Sequence, residues 1–310
     1  MKLTFIIPAL NEEDSIKILY QEILSQIKDW AYEIIFIDDG STDKTLQVMK
    51  ELAVKDKNVK VIVFRKNFGK SSALQVGFEE AEGDIVFTMD ADLQDNPIEI
   101  PRFIQEIENG YDMVTGWKQK RYDPISKTLP SKLFNAVTSH TFKLKLHDYN
   151  CGFKAYRKQV IKEIDVYGEM HRYIPALAKA KGFKIKEISV EHRARQYGKS
   201  KFGIERYLRG YLDLMTVKLV TDYSRSPLYL FGGIGTLMSF IGFVVMMYLF
   251  VLRIFHLAYL SNRPILFFAV VLMVVGVQFI SIGLIGELLV NQNRKHNKMK
   301  NISVREKINL

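Results

Sequence analysis

The sequence predicts an α/β domain on a doubly wound, mostly parallel sheet, followed by amphipathic interfacial helices and a hairpin of two membrane-spanning helices. Three observations carry this expectation. Short β-rich runs alternate with helical periods in the amino-terminal part, two long uncharged stretches lie near the carboxyl end, and basic residues cluster around those stretches.

Taken in order, Leu3–Ile7, Glu33–Ile37, Val59–Phe64, Asp84–Met89 and Met113–Gly116 read as strands, each rich in β-branched or aromatic residues. Between the first two, Ile16, Leu19/Tyr20, Ile23 and Ile27 fall three or four apart behind Asn11 as N-cap, the spacing of a helix with one apolar face. Residues 118–145 carry seven Lys/Arg against one acid, interleaved with Leu129, Leu133, Phe134, Val137, Phe142 and Leu144, the profile of helices lying on an anionic lipid surface. The segment Tyr207–Val220 repeats that pattern; packing on the preceding domain explains it nearly as well. Pro227–Leu252 is 26 residues without a charge and Pro264–Gly286 another 23. Each exceeds the ~20 residues a helix needs to cross a hydrocarbon core. Glu287, just past the second stretch, is expected at the headgroups. The segment from 291 carries Arg294, Lys295, Lys298, Lys300, Arg305 and Lys307 against Glu306, net +5, while the connection Arg253–Arg263 carries two Arg. The positive-inside rule therefore places this tail and residues 1–226 on the cytoplasmic side, and nothing at the start reads as a cleaved signal.

Composition narrows the function classes. One cysteine, Cys151, among 310 residues excludes an internal disulfide framework and a cysteine-based zinc site. The net charge of +10 is explained better by anionic phospholipid than by nucleic acid, because much of it flanks the apolar stretches. Neither Gly-x-x-x-x-Gly-Lys-Ser/Thr nor Gly-x-Gly-x-x-Gly occurs, which disfavours an ATPase or a nicotinamide enzyme.

In a doubly wound sheet, ligands bind beyond the carboxyl ends of the strands. There the chain places Pro8-Ala9-Leu10-Asn11-Glu12-Glu13, then Asp38-Asp39-Gly40-Ser41, both of which also suit ordinary turns and caps. Arg65-Lys66-Asn67-Phe68-Gly69-Lys70-Ser71 opens a helix with glycine and cations, a place where phosphate meets backbone N–H groups. Strand four ends in Asp90-Ala91-Asp92-Leu93-Gln94-Asp95-Asn96-Pro97. A spacing of two in extended chain sets both carboxylates on one side, where they repel unless a cation joins them. A hard divalent ion, Mg²⁺ or Mn²⁺, with diphosphate completing its shell, suits such donors. Asn96, Pro97 and Glu99 read simply as a helix start.

With these motifs in chain order, and with Asp148-Tyr149-Asn150-Cys151-Gly152-Phe153-Lys154 and Arg193-Ala194-Arg195…Gly198-Lys199-Ser200-Lys201 after them, the sequence resembles the family 2 glycosyltransferases of the GT-A fold. The closer resemblance is to the polyprenyl-phosphate glycosyltransferases, the dolichyl-phosphate mannose synthase-like and bacterial undecaprenyl-phosphate sugar transferases that end in two membrane spans. The Gln-x-x-Arg-Trp motif of processive polysaccharide synthases is absent, and Leu10 stands where an aromatic residue is common.

The resemblance implies a nucleotide-sugar pocket of Pro8, Leu10, Glu12, Ile37 and Asp39, with Asp90, Ala91, Asp92 and Gln94 around the diphosphate. It implies Asp90, Asp92 and Gln94 as metal ligands, and Arg193, Arg195, Ser200 and Lys201 as phosphate or acceptor ligands. Asp92 and Asp148 would be the catalytic carboxylates, Asp148 as a base or an electrostatic group. The domains expected are a cytoplasmic glycosyltransferase domain over 1–202, a juxtamembrane helix over 203–226, two spans within 227–290 and a basic tail over 291–310. The implied reaction moves a hexose, with UDP-glucose as the first donor to consider, to undecaprenyl phosphate with inversion, giving a β-linked product. The implied partners are a UDP-sugar, a polyprenyl phosphate, anionic membrane lipids and a second copy of the chain. Two rivals remain at this point: transfer to a neutral lipid hydroxyl or cell-wall polymer, and a non-catalytic membrane adaptor, which intact Asp90, Asp92, Asp148 and Arg195 argue against.

Overall fold

Apolar runs flanked by turn residues form eight strands of one sheet in a computed structural model that describes residues 1–119, 135–193, 213–219, 221, 226–255, 264–293 and 304–309. The strands are β1 (Lys2–Ala9), β2 (Ala31–Asp38), β3 (Val59–Phe64), β4 (Ile85–Thr88), β5 (Met113–Lys118), β6 (Lys154–Arg157), β7 (Ile185–Val190) and β8 (Val304–Ile308). Their order across the sheet is β7-β5-β6-β4-β1-β2-β3-β8. Pairings β1–β2, β1–β4, β2–β3 and β5–β7 are parallel, whereas β6 and β8 enter antiparallel.

Helices α1 (Ile16–Gln26), α2 (Thr45–Lys55), α3 (Lys70–Glu80) and α4 (Ile100–Glu108) make the crossovers, and α5 (Lys158–Glu163) and α6 (Ile174–Ala180) follow β6. The two faces of the sheet bury separate apolar layers. Phe5, Phe36, Phe87, Phe103 and Phe153 lie on one, and Ile6, Ile35, Ile62, Phe78 and Tyr156 on the other. Runs apolar on both faces are what a covered parallel sheet requires. Helix α1 begins at Ile16 rather than directly behind Asn11, because residues 12–15 first make a turn, with Ser15 and Ile16 donating to the Glu12 carbonyl at 3.2 and 3.3 Å.

The chain divides into two compact units. The first holds the sheet and includes residues up to Val217. Within it the helical residues 213–217 seat Leu214 and Val217 in the same apolar layer as Phe142, Leu144 and Tyr173. This part of the expected juxtamembrane helix is therefore a packing element of the sheet domain. The second unit contains α7 (Pro227–Ile254) and α8 (Pro264–Asn293), both long and apolar enough to cross a membrane and most of their large side chains facing outward. They touch closely at glycines: a Cβ on Gly235 would come within 2.4 Å of the Gly276 carbonyl oxygen. Small residues of this kind let helix backbones approach in lipid.

The tail differs from expectation. Residues 304–308 form β8, which pairs with β3 and belongs to the sheet unit. Lys307 reaches Glu80 at 2.5 Å, and the Asn309 amide donates to the carbonyls of Ala53 at 2.9 Å and Val59 at 3.1 Å. The belt residues 120–134 lie outside the described residues.

Candidate active site

Three loops interlock beyond the carboxyl ends of β1, β2 and β3. The Asn11 N–H donates to Ser41 Oγ at 3.0 Å, and Asn11 Oδ1 accepts from the Thr42 N–H at 2.8 Å. Asn11 takes a positive φ of 56° to do this, a conformation that asparagine tolerates better than most residues. The Glu12 N–H donates to Thr45 Oγ1 at 2.7 Å. Asp39 is 5 % exposed, and its two carboxylate oxygens accept the N–H groups of Phe68 at 2.7 Å and Gly69 at 3.0 Å. Burial raises its pKa, only partly offset by those two donors. Gly40 (φ 78°) lies so close to Lys66 and Asn67 that a Cβ would meet their backbones within 3.0 Å. Pro8, Leu10, Glu12, Ile37 and Asp39 thus gather at one corner, and Asp39 fixes the loop that introduces Lys70.

The carboxyl end of β4 carries the second group. Leu93, 1 % exposed, holds a positive φ of 61°, costly for a branched side chain and maintained by its burial in the core. That twist folds the Gln94 N–H back onto Asp92 Oδ1 at 3.2 Å. Asp90 forms an ion pair with Lys70 and packs against Gly152, where a Cβ would stand 2.5 Å from Asp90 Oδ2. The buried Asp95 accepts the Asp90 N–H at 3.3 Å and pairs with Lys118 at 3.1 Å. Lys154 is 3 % exposed and donates to the Cys151 carbonyl, with no carboxylate in salt-bridge contact among the described residues. Burial opposes ionisation of Asp90, yet Lys70, Lys118 and Lys154 hold its carboxyl well below the usual range. Burial likewise lowers the Lys154 pKa and pushes the Cys151 thiol up to about 12, so Cys151 is an inert thiol. His171, partly buried near Lys70, exchanges hydrogen bonds with Ser71 at 3.0 Å, and desolvation, with the nearby Lys70, holds its pKa well below the ordinary imidazole value.

Asp148, 1 % exposed, lies in the loop that returns to β6 past Asp90. Its Oδ1 accepts the Asn150 N–H at 3.1 Å, and its own N–H donates to Glu187 at 2.9 Å. The Gly152 carbonyl of the same loop accepts from Thr88 Oγ1 at 2.9 Å, joining it to β4.

Arg193 is placed otherwise than expected. Its guanidinium holds Glu22 at 2.8 and 2.9 Å and Asn96 at 2.6 Å, because the chain at 191–193 runs beside residues 94–99 and faces α1. It therefore clamps α1 to the segment around Asn96, at a position where the resemblance implies a phosphate ligand. Arg195, Ser200 and Lys201 lie outside the described residues. Sequence reasoning gave no individual role to Lys70, Asp95, Lys118 or Lys154, although each stands in a motif or basic run already described. Its signal for them was a cation opening α3 and two more ending β5 and opening β6.

Among the described residues no three His, Cys, Asp or Glu side chains converge as a protein-only metal cage. The donors nonetheless suit a divalent ion. Asp92 and Asp90 offer hard carboxylate oxygens at the ligand end of the sheet, donors of the type a divalent ion takes together with diphosphate oxygens.

The family model for Glycosyl transferase family 2 matches residues 4–165, from β1 through α5. The chain belongs to this family. It is a glycosyltransferase with a mixed GT-A sheet, followed by two apolar helices. Similarity to curated relatives extends through those helices. The dodecaprenyl-phosphate galacturonate synthase of Rhizobium johnstonii is 33% identical over 313 residues, covering 99% of this chain and 93% of that one. The undecaprenyl-phosphate 4-deoxy-4-formamido-L-arabinose transferase of Proteus mirabilis is 34% identical, covering 93% and 88%. Among solved structures, glucosyl-3-phosphoglycerate synthase from Mycobacterium tuberculosis, in complex with Mn²⁺, UDP and phosphoglyceric acid, superposes with a TM-score of 0.56 at 16% identity, covering 73% of this glycosyltransferase and 81% of that chain. At that identity the likeness establishes the fold.

Proposed function

We propose that this glycosyltransferase moves a sugar from a nucleoside diphosphate to a polyprenyl phosphate at the cytoplasmic face of a membrane, inverting the anomeric carbon. The observation that carries the reading is Lys154, a buried cation beside Asp90 that has a carbonyl rather than a carboxylate as its hydrogen-bond partner. A cation buried in this way stabilises an incoming anion strongly, because little solvent screens it. Near-full-length similarity to two enzymes named for polyprenyl-phosphate products supports a lipid phosphate as that anion.

The chemistry follows from charge. A phosphate monoester has its second pKa near ~6, so the attacking oxygen is already ionised at neutral pH and needs no base. The difficulty is to bring that anion to the anomeric carbon while a diphosphate departs. Lys118 and Lys154 hold the acceptor phosphate, and Lys70 offsets Asp90. Asp148 stabilises positive charge developing at the anomeric carbon. Asp92, with Asp90 and Gln94, would hold a divalent ion, Mg²⁺ or Mn²⁺, which when bound supplies neutralisation of the leaving diphosphate. Arg195, Ser200 and Lys201 are proposed to complete the phosphate contacts. Backside displacement on an α-linked donor yields a β-linked lipid-phosphate sugar.

UDP-glucose is the first donor to test. The two relatives are named for galacturonate and for formamido-arabinose, so UDP-linked uronic acid and pentose donors belong in the same panel. The cytoplasmic placement of the sheet domain and both ends rests on the positive-inside pattern. That both ends share one side is supported by β8, which returns to the sheet after two membrane-length helices. The deciding experiment supplies labelled UDP- and GDP-sugars to the purified protein with undecaprenyl phosphate and Mg²⁺ or Mn²⁺. Label is expected in an organic-soluble, mild-acid-labile product. Label that enters only with a neutral polyprenol, or never leaves the aqueous phase, overturns the proposal.

A further inference from the structure

The loop bearing Asp148 has no ladder of its own to hold it. Besides the Thr88–Gly152 hydrogen bond, contacts from three other elements converge on the dipeptide His147-Asp148. Glu187, on β7, is the centre. Its Oε1 accepts the His147 N–H at 2.8 Å and the Asp148 N–H at 2.9 Å, and its Oε2 meets His147 Nδ1 at 2.7 Å. Trp117, at the end of β5, stacks on the His147 ring with centroids 4.1 Å apart and planes at 17°. Asn135 donates its side-chain amide to the His147 carbonyl at 2.6 Å. Thr115 and Glu187 are register partners in the β5–β7 ladder, so the carboxylate stands on a fixed strand.

We infer that Glu187 is the positioning residue of the reaction: it acts through Asp148, setting where that carboxylate stands, and does not itself touch substrate. This rests on the role proposed for Asp148. The physical case is one of directionality. Two adjacent backbone N–H groups that share one carboxylate oxygen fix the peptide plane between them, and with it the Cα–Cβ direction of Asp148. Charge-assisted hydrogen bonds of this kind are shorter and stronger than neutral ones. The side chain of Glu187 is only 10% exposed, so water competes poorly for those donors. Misplacing a charged group by about 1 Å at a reacting centre costs on the order of a hundredfold in rate.

Glutamine separates geometry from charge. In Glu187→Gln the amide oxygen still accepts both backbone N–H groups, while the NH₂ faces His147 Nδ1, which becomes an acceptor in the other tautomer. Alanine removes all three interactions.

The test is a double-mutant cycle read on transfer by the full-length protein in detergent. Glu187→Ala is expected to lower kcat by roughly 10- to 100-fold with the donor KM within about twofold, and Glu187→Gln to recover most of that loss. Glu187→Ala in an Asp148→Asn background is expected to add less than about twofold to the loss from Asp148→Asn alone, because both changes remove one effect. Multiplicative losses, an unchanged kcat in Glu187→Ala, or a silent Asp148→Asn would each overturn the inference. If Glu187→Ala fails to fold, Glu187→Met, which also removes the acceptor oxygens but keeps the side-chain volume, replaces it in the same cycle with the same expected and overturning outcomes. The unaltered protein is assayed first: absence of transfer to polyprenyl phosphate refutes the proposed acceptor alone, and the cycle is then read on hydrolysis of the UDP-sugar.

Discussion

The two ends of the sheet bury acids in opposite ways. At the amino ends of β1 and β2, Glu33 is 1 % exposed and accepts from Thr4 Oγ1 at 2.6 Å, the Glu82 N–H at 2.7 Å, Lys60 at 2.9 Å and Lys2 at 3.1 Å. Burial disfavours its charge, yet these donors together lower its pKa to about 2. Every charge in that cluster finds its counterpart within the protein. At the carboxyl ends, Asp90 and Asp95 are matched by Lys70 and Lys118, whereas Lys154 is left with a carbonyl. A closed network stabilises the fold. An open one leaves room for a ligand's charge, and the difference locates the chemistry without reference to sequence motifs.

The sharpest way to break this contrast is at Asp92. Asp92→Asn is expected to reduce sugar transfer by at least about a hundredfold, with the thermal midpoint within a few degrees of the parent. Removal of divalent ions with a chelator should give a comparable loss, reversible by Mg²⁺ or Mn²⁺. A large drop in midpoint instead would make Asp92 a folding residue like Glu33.

Lys154→Met sharpens the contrast from the other side. It removes a buried charge that has no carboxylate in salt-bridge contact among the described residues and only longer-range attraction to Asp90 and Asp148, so the thermal midpoint should stay within a few degrees of the parent. Acceptor kcat/KM should fall roughly 10- to 100-fold in steady-state kinetics.

Glu33 should show the converse. Glu33→Gln is expected to cost roughly 2 kcal/mol in urea unfolding, with transfer at 25 °C within about twofold of the parent. The sign with pH is fixed: the folded-state pKa of about 2 lies below the ordinary carboxyl value of 4.5. The contribution of Glu33 is therefore complete above pH 4.5 and is lost as pH falls towards 2. Unfolding of the parent should steepen across that window and that of Glu33→Gln should not. The smallest effect is expected at the sheet edge, where Asn309→Ala removes two hydrogen bonds to carbonyls and should cost about 1 kcal/mol in the same measurement.

Much of the frame is legible in the sequence, and the omissions have physical causes. Strands β1 to β5 are runs apolar on both faces, which nothing but a covered sheet uses, and their ends display Asp39, Asp90 and Asp92 at once. β6 is only Lys-Ala-Tyr-Arg, too short for a periodicity to show, and it sits inside a motif whose acid draws the eye first. β7 carries the adjacent pair Lys186-Glu187 and β8 the run Arg305-Glu306-Lys307, charges that suit edge strands and merge into the basic runs around them. The lysines of the site stand in motifs or basic runs, but their partners are not legible because pairing is tertiary. Lys70 meets Asp90 across 20 residues and Lys118 meets Asp95 across two strand ends, and no local spacing announces either. Arg193 is legible as a cation, but its commitment to Glu22, 171 residues away, is not.

The position of β8 has a consequence for biosynthesis. Its partner β3 is made early, but residues 304–308 emerge from the ribosome only after both apolar helices have been synthesised. Until then the N–H and C=O groups along one side of β3 stay open, the arrangement through which nascent chains aggregate. Completion of the sheet is thus ordered behind synthesis of the hydrophobic hairpin, so a nascent chain stalled before that step carries an unsealed strand edge.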